Sequence, residues 1–269
     1  MNAIHFQFGD LFRLYLPEPH ASLLAGIAFG QNIPPELSLY NQMKRIGLSH
    51  IAVFSGANIS IVLGSISFIR AYIGNRLFGL IGILFILFSI IIVGAKAPII
   101  RASLFSIFTF VALLTGRRFS GLYLSFISLI LILSMKPYWI ASVSLQLSYA
   151  ATIGIMLFGM RLQDNEKSKH FVYSYIREEL RISFAALFAT LPIVIISFGQ
   201  IPVMAPIANV LISFTITPLL LLGFLAGILG ELHPSLAALP TYATYPILGY
   251  IIWVTDSISS LSFATIYIN

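Results

Sequence analysis

Gly47-Leu48-Ser49-His50-Ile51-Ala52-Val53-Phe54-Ser55-Gly56-Ala57-Asn58-Ile59-Ser60-Ile61-Val62-Leu63-Gly64-Ser65-Ile66-Ser67-Phe68-Ile69 is long enough to cross a bilayer, yet carries polar groups through its middle. A hydrocarbon core of about 30 Å takes roughly 20 apolar residues in helix, and polar groups placed there cost free energy unless protein or water satisfies them. The stretch is therefore expected to face a protein interior or a wet cavity. Ala52, Gly56, Ser60 and Gly64 recur every four residues, the small-residue spacing that lets helix backbones approach. His50 and Asn58 would lie about 12 Å apart along one ideal helix and roughly 80° apart around it, so they cannot share a metal ion unless the helix breaks. Ser55-Gly56 is the place for such a break.

The rest of the chain agrees that the solvent is a bilayer. Hydrophobic residues make up 58% of the 269 residues and charged residues 9%, against roughly 25% charged in an ordinary soluble domain. Mean hydropathy is +0.96. The expected fold is all-α: one polytopic membrane domain over 1–269, with seven or eight transmembrane helices. Spans are read near 47–69, 78–95, 97–115, 121–135, 138–160, 180–199, 201–230 and 236–263. Residues 1–45 mix Asp10, Arg13, Glu18, His20, Glu36, Lys44 and Arg45 with apolar clusters and read as interfacial helices. Met1 to Pro17 lacks the pattern of a secretory signal, so the first span is expected to direct insertion.

Residues 161–181 gather Asp164, Glu166, Lys167, Lys169, Arg177, Glu178 and Glu179 and read as a charged loop in water. With these spans, Arg70, Arg76, Arg117, Arg118 and the basic residues of 161–181 fall on one side. Arg13, Lys44, Arg45, Lys96 and Lys136 fall on the other. The richer side is expected to be cytoplasmic, which places the N-terminal segment outside and the 161–181 loop inside. The net charge of +6 needs no anionic partner, because cytoplasmic loops supply such an excess.

Other polar residues stand out inside the spans. Arg101 lies near the start of 97–115, where an arginine either snorkels to the interface or points inward to hold a phosphate or a buried acid. In 138–160, Ser144, Ser148 and Thr152 form one line at helical spacing, and Ser142, Gln146 and Tyr149 form another. Gln146 reads either as helix–helix glue or as part of a polar route, and the same two readings apply to His50 and Asn58. Pro202, Pro206, Asn209, Thr215, Thr217 and Pro218 predict interrupted backbone bonding in 201–230, either a simple kink or a transport site. Gly223 and Gly227 read as a packing pair.

Catalytic patterns are absent. There is no HExxH, phosphate loop or GxGxxG, and with no cysteine there is no thiolate metal site or disulfide. Ser55 has His50 as its nearby histidine, on a different face of the same helix, which does not make a nucleophile–base pair. No enzyme activity, cofactor or metal is expected.

The run Pro17-Glu18-Pro19-His20-Ala21-Ser22-Leu23-Leu24-Ala25-Gly26, followed by Gly47 to Gly56, resembles the competence domain of the ComEC family. Arg101-Ala102, Gly116-Arg117, Gln146-Leu147-Ser148-Tyr149-Ala150 and Ala208-Asn209 before Pro218 follow in the family's order, so the resemblance covers about residues 11 to 230. It implies a channel passing single-stranded DNA across the cell membrane during natural transformation. His50, Ser55, Asn58, Arg101, Gln146, Ser148 and Asn209 would then line the path, with Gly56, Gly64, Pro206 and Pro218 as break or packing positions. Implied partners are single-stranded DNA and membrane lipid, with a separate DNA receptor, nuclease and cytoplasmic translocation ATPase, and a homo-oligomer stays open. A transporter of a smaller polar or anionic solute and a non-transporting assembly subunit are the alternatives. Where the family usually reads Ser-Gly-Leu-His, this chain reads Ser55-Gly56-Ala57-Asn58, an amide that cannot titrate. Full-length relatives also carry an OB-fold and a metallo-β-lactamase-like domain, for which 269 residues leave no room.

Overall fold

A computed structural model describes residues 8–51, 56–65, 67, 70–93, 97–115, 120–159 and 171–268. The chain is an all-α membrane protein. In order, its helices are α1 (Phe8–Arg13), α2 (His20–Phe29), α3 (Ser38–Arg45), α4 (Gly56–Ser65), α5 (Arg70–Val93) and α6 (Ala97–Thr115). There follow α7 (Gly121–Met135), a 3-10 turn (Pro137–Ala141), α8 (Val143–Gly154) continued by a π turn (Ile155–Gly159), α9 (Phe171–Phe198), α10 (Ala205–Leu232) and α11 (Pro234–Ser259). Two-residue strands, β1 (Gln200–Ile201) and β2 (Ile266–Tyr267), pair antiparallel and tie the end of α9 to the C-terminal segment. Windows in α5, α9 and α10 are long and apolar enough to cross a membrane, although α5 is broken at Gly74 (φ 80°, ψ 165°) near its start.

The core sits where α2 meets α10 and α11. Every residue of α2 from Ala21 to Phe29 is buried, which corrects the reading of 1–45 as interfacial throughout. A helix lying on a membrane surface keeps a wet polar face, and α2 has none, because the charges that suggested one (Arg13, Glu18, Glu36) lie outside it. The α3 helix does keep a one-sided pattern, burying Leu39 and Met43. Gly30 ends α2 in the left-handed region at φ 66°, with the Gln31 N–H bonded to Ala25 O at 3.2 Å, a C-cap that a side chain would strain. Small residues on α10 then admit α2 closely. A methyl group on Gly223 would lie 2.9 Å from Ala28 Cβ, and one on Gly227 would lie 2.4 Å from the Phe29 ring.

Three further expectations change. The span read over 47–69 is not one described helix: α4 has 10 residues, about 15 Å of rise, and residues 52–55 lie outside the described part. Gly47 instead sits in a turn at φ 79°, where a side chain would press on Pro202 and Ala205. Of the charged stretch 161–181, residues 171–181 are the first turns of α9, and 161–170 lie outside the described residues. The prolines of 201–230 interrupt less than expected. Pro206 occupies the first turn of α10, where its missing N–H has no partner to lose, and Pro218 lies within one continuous helix.

Candidate functional site

The α6, α7 and α8 helices form a second, smaller packing unit around Ala97, Ile132, Leu145 and Tyr149. Its polar centre is Arg101. Ser148 and Thr152, four apart on α8, turn their hydroxyls to the same side. Arg101 Nε donates to Ser148 Oγ at 2.7 Å, and Nη1 donates to Thr152 Oγ1 at 3.2 Å. The guanidinium also lies 5.5 Å from the centre of the Tyr149 ring, a cation–π contact. Thr152 spends its proton on Ser148 O at 2.8 Å, leaving its lone pairs for the arginine.

Behind Arg101 a relay of hydroxyls reaches α7. Ser128 Oγ donates to Ser125 O at 2.7 Å, so the 2.8 Å contact between Tyr149 and Ser128 must carry the Tyr149 proton. Tyr149 and Ser128 are buried. Arg101 is thus held from two sides by neutral oxygens and a ring face, and no carboxylate lies within ion-pair distance of it among the described residues. Arginine bears five N–H donors, and these contacts use two of them.

The remaining named residues lie apart from this centre. Asn58, 6% exposed, donates from Nδ2 to Ile27 O at 3.0 Å, one of the carbonyls left without a helical partner at the end of α2. Gln146 is exposed and closes on its own segment, donating to Ile140 O at 2.9 Å. His50 is exposed in the turn before α4, its Nδ1 2.9 Å from Gly47 O. Ser55 lies outside the described residues, as do Gly116 and Arg117. Gly56 is the first residue of α4. Gly64 does not pack: a methyl group there would meet nothing within 4 Å.

Asn209 belongs to a polar seam between α9 and α10 that the sequence reading missed. Its Nδ2 donates to Ser183 Oγ at 3.3 Å, while its buried Oδ1 has no partner among the described residues. One turn along, Tyr175 and Ser213 meet at 2.6 Å, and Ser213 also bonds Glu179. The signal was available as two ladders at spacing four, Tyr175-Glu179-Ser183 and Asn209-Ser213-Thr217.

Outside the spans, Glu18 caps α2. It accepts from Ser22 N at 3.2 Å, Ser22 Oγ at 2.8 Å and Arg13 Nε at 2.8 Å. Partial burial disfavours its charge, but the bonds from Arg13 and Ser22 outweigh that and hold the carboxyl below its ordinary range.

Comparison with known proteins places the chain. The family model described as Competence protein matches residues 27–269. An uncharacterized protein of Aquifex aeolicus (strain VF5) is 28% identical over 202 residues, covering 75% of this chain and 45% of that protein. ComE operon protein 3 of Bacillus subtilis (strain 168) is 22% identical over 216 residues, covering 80% of this chain and 27% of that protein. The chain thus spans less than half the length of either relative. No solved structure matches it. With the family model matched from the last turn of α2 to the last residue, the chain belongs to the Competence protein family.

Proposed function

We propose that this chain forms a membrane channel through which a single strand of DNA passes into the cell during natural transformation. The observation that carries the reading is Arg101, a cation set within an apolar helix and steadied by Ser148, Thr152 and Tyr149 with no acid beside it among the described residues. Each DNA phosphate is charged and needs a wet route past hydrocarbon. An arginine with donors to spare offers it bidentate contact, and neutral hydroxyls around it keep the contact from stalling passage. Membership of the Competence protein family supports this choice over other anions.

On this reading α4 to α11 make seven or eight crossings. The N-terminal segment is external, residues 161–181 are cytoplasmic, and a reporter fused after Lys169 should score as internal. The chain has no catalysis of its own and works with a separate receptor, nuclease and translocating ATPase. Replacing Arg101 by Gln should lower DNA uptake on the order of tenfold while the protein inserts at normal levels. Uptake that stays normal in an inserted Arg101→Gln protein refutes the phosphate role. The second reading, an assembly subunit, is favoured by Asn58, whose amide is bonded to a backbone carbonyl of α2. Normal uptake in a clean deletion would decide for that reading or for a transporter of a smaller solute.

A further inference from the structure

At the end of the molecule where α3, α9 and α11 all terminate there is an open cleft of about 780 Å³, lined among others by Asn41, Lys44, Arg45, Gln200, Asp256 and Tyr267. Its two cations share the lining with one carboxylate, Asp256. Lys44 Nζ stands 5.6 Å from the centre of the Phe198 ring, and neither Lys44 nor Arg45 has a carboxylate within ion-pair distance among the described residues. The Arg45 guanidinium makes one long bond, 3.4 Å, to Leu261 O, and its Nε finds no acceptor.

The backbone beneath these side chains is fixed. Gln200 Nε2 donates to Lys44 O at 3.1 Å, and the Thr265 hydroxyl donates to Arg45 O. Lys44 O also accepts the Gly47 N–H at 3.3 Å, so the negative end of α3 is covered by backbone and side-chain donors together. With both carbonyls satisfied, the two cations outnumber the single carboxylate of the lining, Asp256, and leave the cleft net positive. Phe198 and Tyr267 add apolar wall beside the cations, and Asn41 adds amide donors.

We propose that this cleft binds a phosphodiester, with Lys44 and Arg45 on the phosphate oxygens and the aromatic wall against its carbon substituents. The site is separate from Arg101 and does not require that a strand pass there. Two sources carry this chemistry, a nucleic-acid strand and a phospholipid headgroup.

The test uses the full chain in phosphatidylcholine nanodiscs, titrated with fluorescent oligothymidylate of about 12 nucleotides or loaded with phosphatidylglycerol read by native mass spectrometry. For the strand, two neutralised phosphates give a log–log salt slope of about −1.4, and Lys44→Gln should remove about half of it and weaken binding roughly threefold to fivefold. Because Arg45 also holds Leu261, the second variant is Asn41→Asp, which adds a negative charge at an exposed position and should weaken binding without touching the fold. Lys136→Gln, a cation 4.5 Å over Trp139 elsewhere, should change nothing. Weakened oligothymidylate binding in both cleft variants assigns the site to a strand. Loss of phosphatidylglycerol alone assigns it to a headgroup. If neither ligand responds to the cleft variants, or Lys136→Gln acts as strongly, the proposal is overturned.

Discussion

Two glycines that look alike in sequence should respond oppositely to the same added methyl group. Gly227 lies on α10 against the Phe29 ring, where a methyl carbon would come 2.4 Å from one ring atom and 3.1 Å from the next. The ring cannot simply swing away, because it stacks on Phe8 at 3.9 Å and meets Phe224 edge-on at 5.3 Å. Overpacking of this kind costs about 1–3 kcal/mol, from which the helix-propensity gain of Ala over Gly, about 1 kcal/mol, must be subtracted. Gly227→Ala should therefore lose up to about 2 kcal/mol, or roughly 4–8 °C in melting temperature at about 2–4 °C per kcal/mol. Gly64 on α4 has nothing within 4 Å, so Gly64→Ala keeps only the propensity gain and should melt no lower than the parent. Thermal unfolding of both variants in the same detergent, followed by size-exclusion profile, checks the pair. Equal losses at the two positions would refute the claim that α10 packs on α2 through Gly227 while Gly64 faces open space.

Asn58→Leu should lower stability by about 1–3 kcal/mol, read in the same melting assay, because it strips the side-chain partner from the buried Ile27 carbonyl. Glu18→Ala should cost about 1 kcal/mol as a lost cap. The Glu18 carboxyl is held below its ordinary range when folded, so its contribution is complete above the unfolded pKa and fades as pH falls through the folded one. The gap between parent and Glu18→Ala melting temperatures should narrow in acid. In the α9–α10 seam, Ser213→Ala removes the partner of both Tyr175 and Glu179 and should destabilise more than Tyr175→Phe, which removes one donor, by on the order of 1 kcal/mol; equal melting points would show that Ser213 does not bridge the two.

The membrane class was legible in the sequence, while the Arg101 centre was legible only in its separate parts. Composition decides the class, since no soluble core absorbs 58% apolar residues with 9% charge. Arg101 stood out as a cation inside a span, and Ser148 and Thr152 as a line at helical spacing, but no sequence pattern joins the two, because the contact depends on how α6 packs against α8. The burial of α2 was hidden because the ionisable residues of 1–45 flank it, in α1, in α3 and in the turns between, with His20 alone at its first position, and a window average cannot separate them from the helix. The partner of Asn58 was hidden more deeply. It is a backbone carbonyl of α2, freed only because Gly30 ends that helix where it does, and backbone groups leave no trace in side-chain patterns. The run 47–69 misled for a related reason: length and apolarity match a span, while the turn at Gly47 is set by close contact with Pro202 and Ala205, more than 150 positions away.

Polar residues in a membrane protein divide by what their donors are doing, and residue type alone does not sort them. Asn58 is buried with its amide on the end of a helix, so its removal acts on folding and reaches transport only through it. Arg101 is half-buried and uses two of its donors on neutral hydroxyls. Those hydroxyls can turn to water if it is lost, and the loss leaves no buried carboxylate unpaired. Substitution at Arg101 should then spare folding and strike whatever anion meets it. Measured side by side, Asn58→Leu should lower the melting temperature in proportion to its loss of uptake, whereas Arg101→Gln should lose uptake at an unchanged melting temperature. Were Arg101→Gln to melt as low as Asn58→Leu, the guanidinium would be a brace between α6 and α8, and the case for a phosphate at that point in the membrane would fall with it.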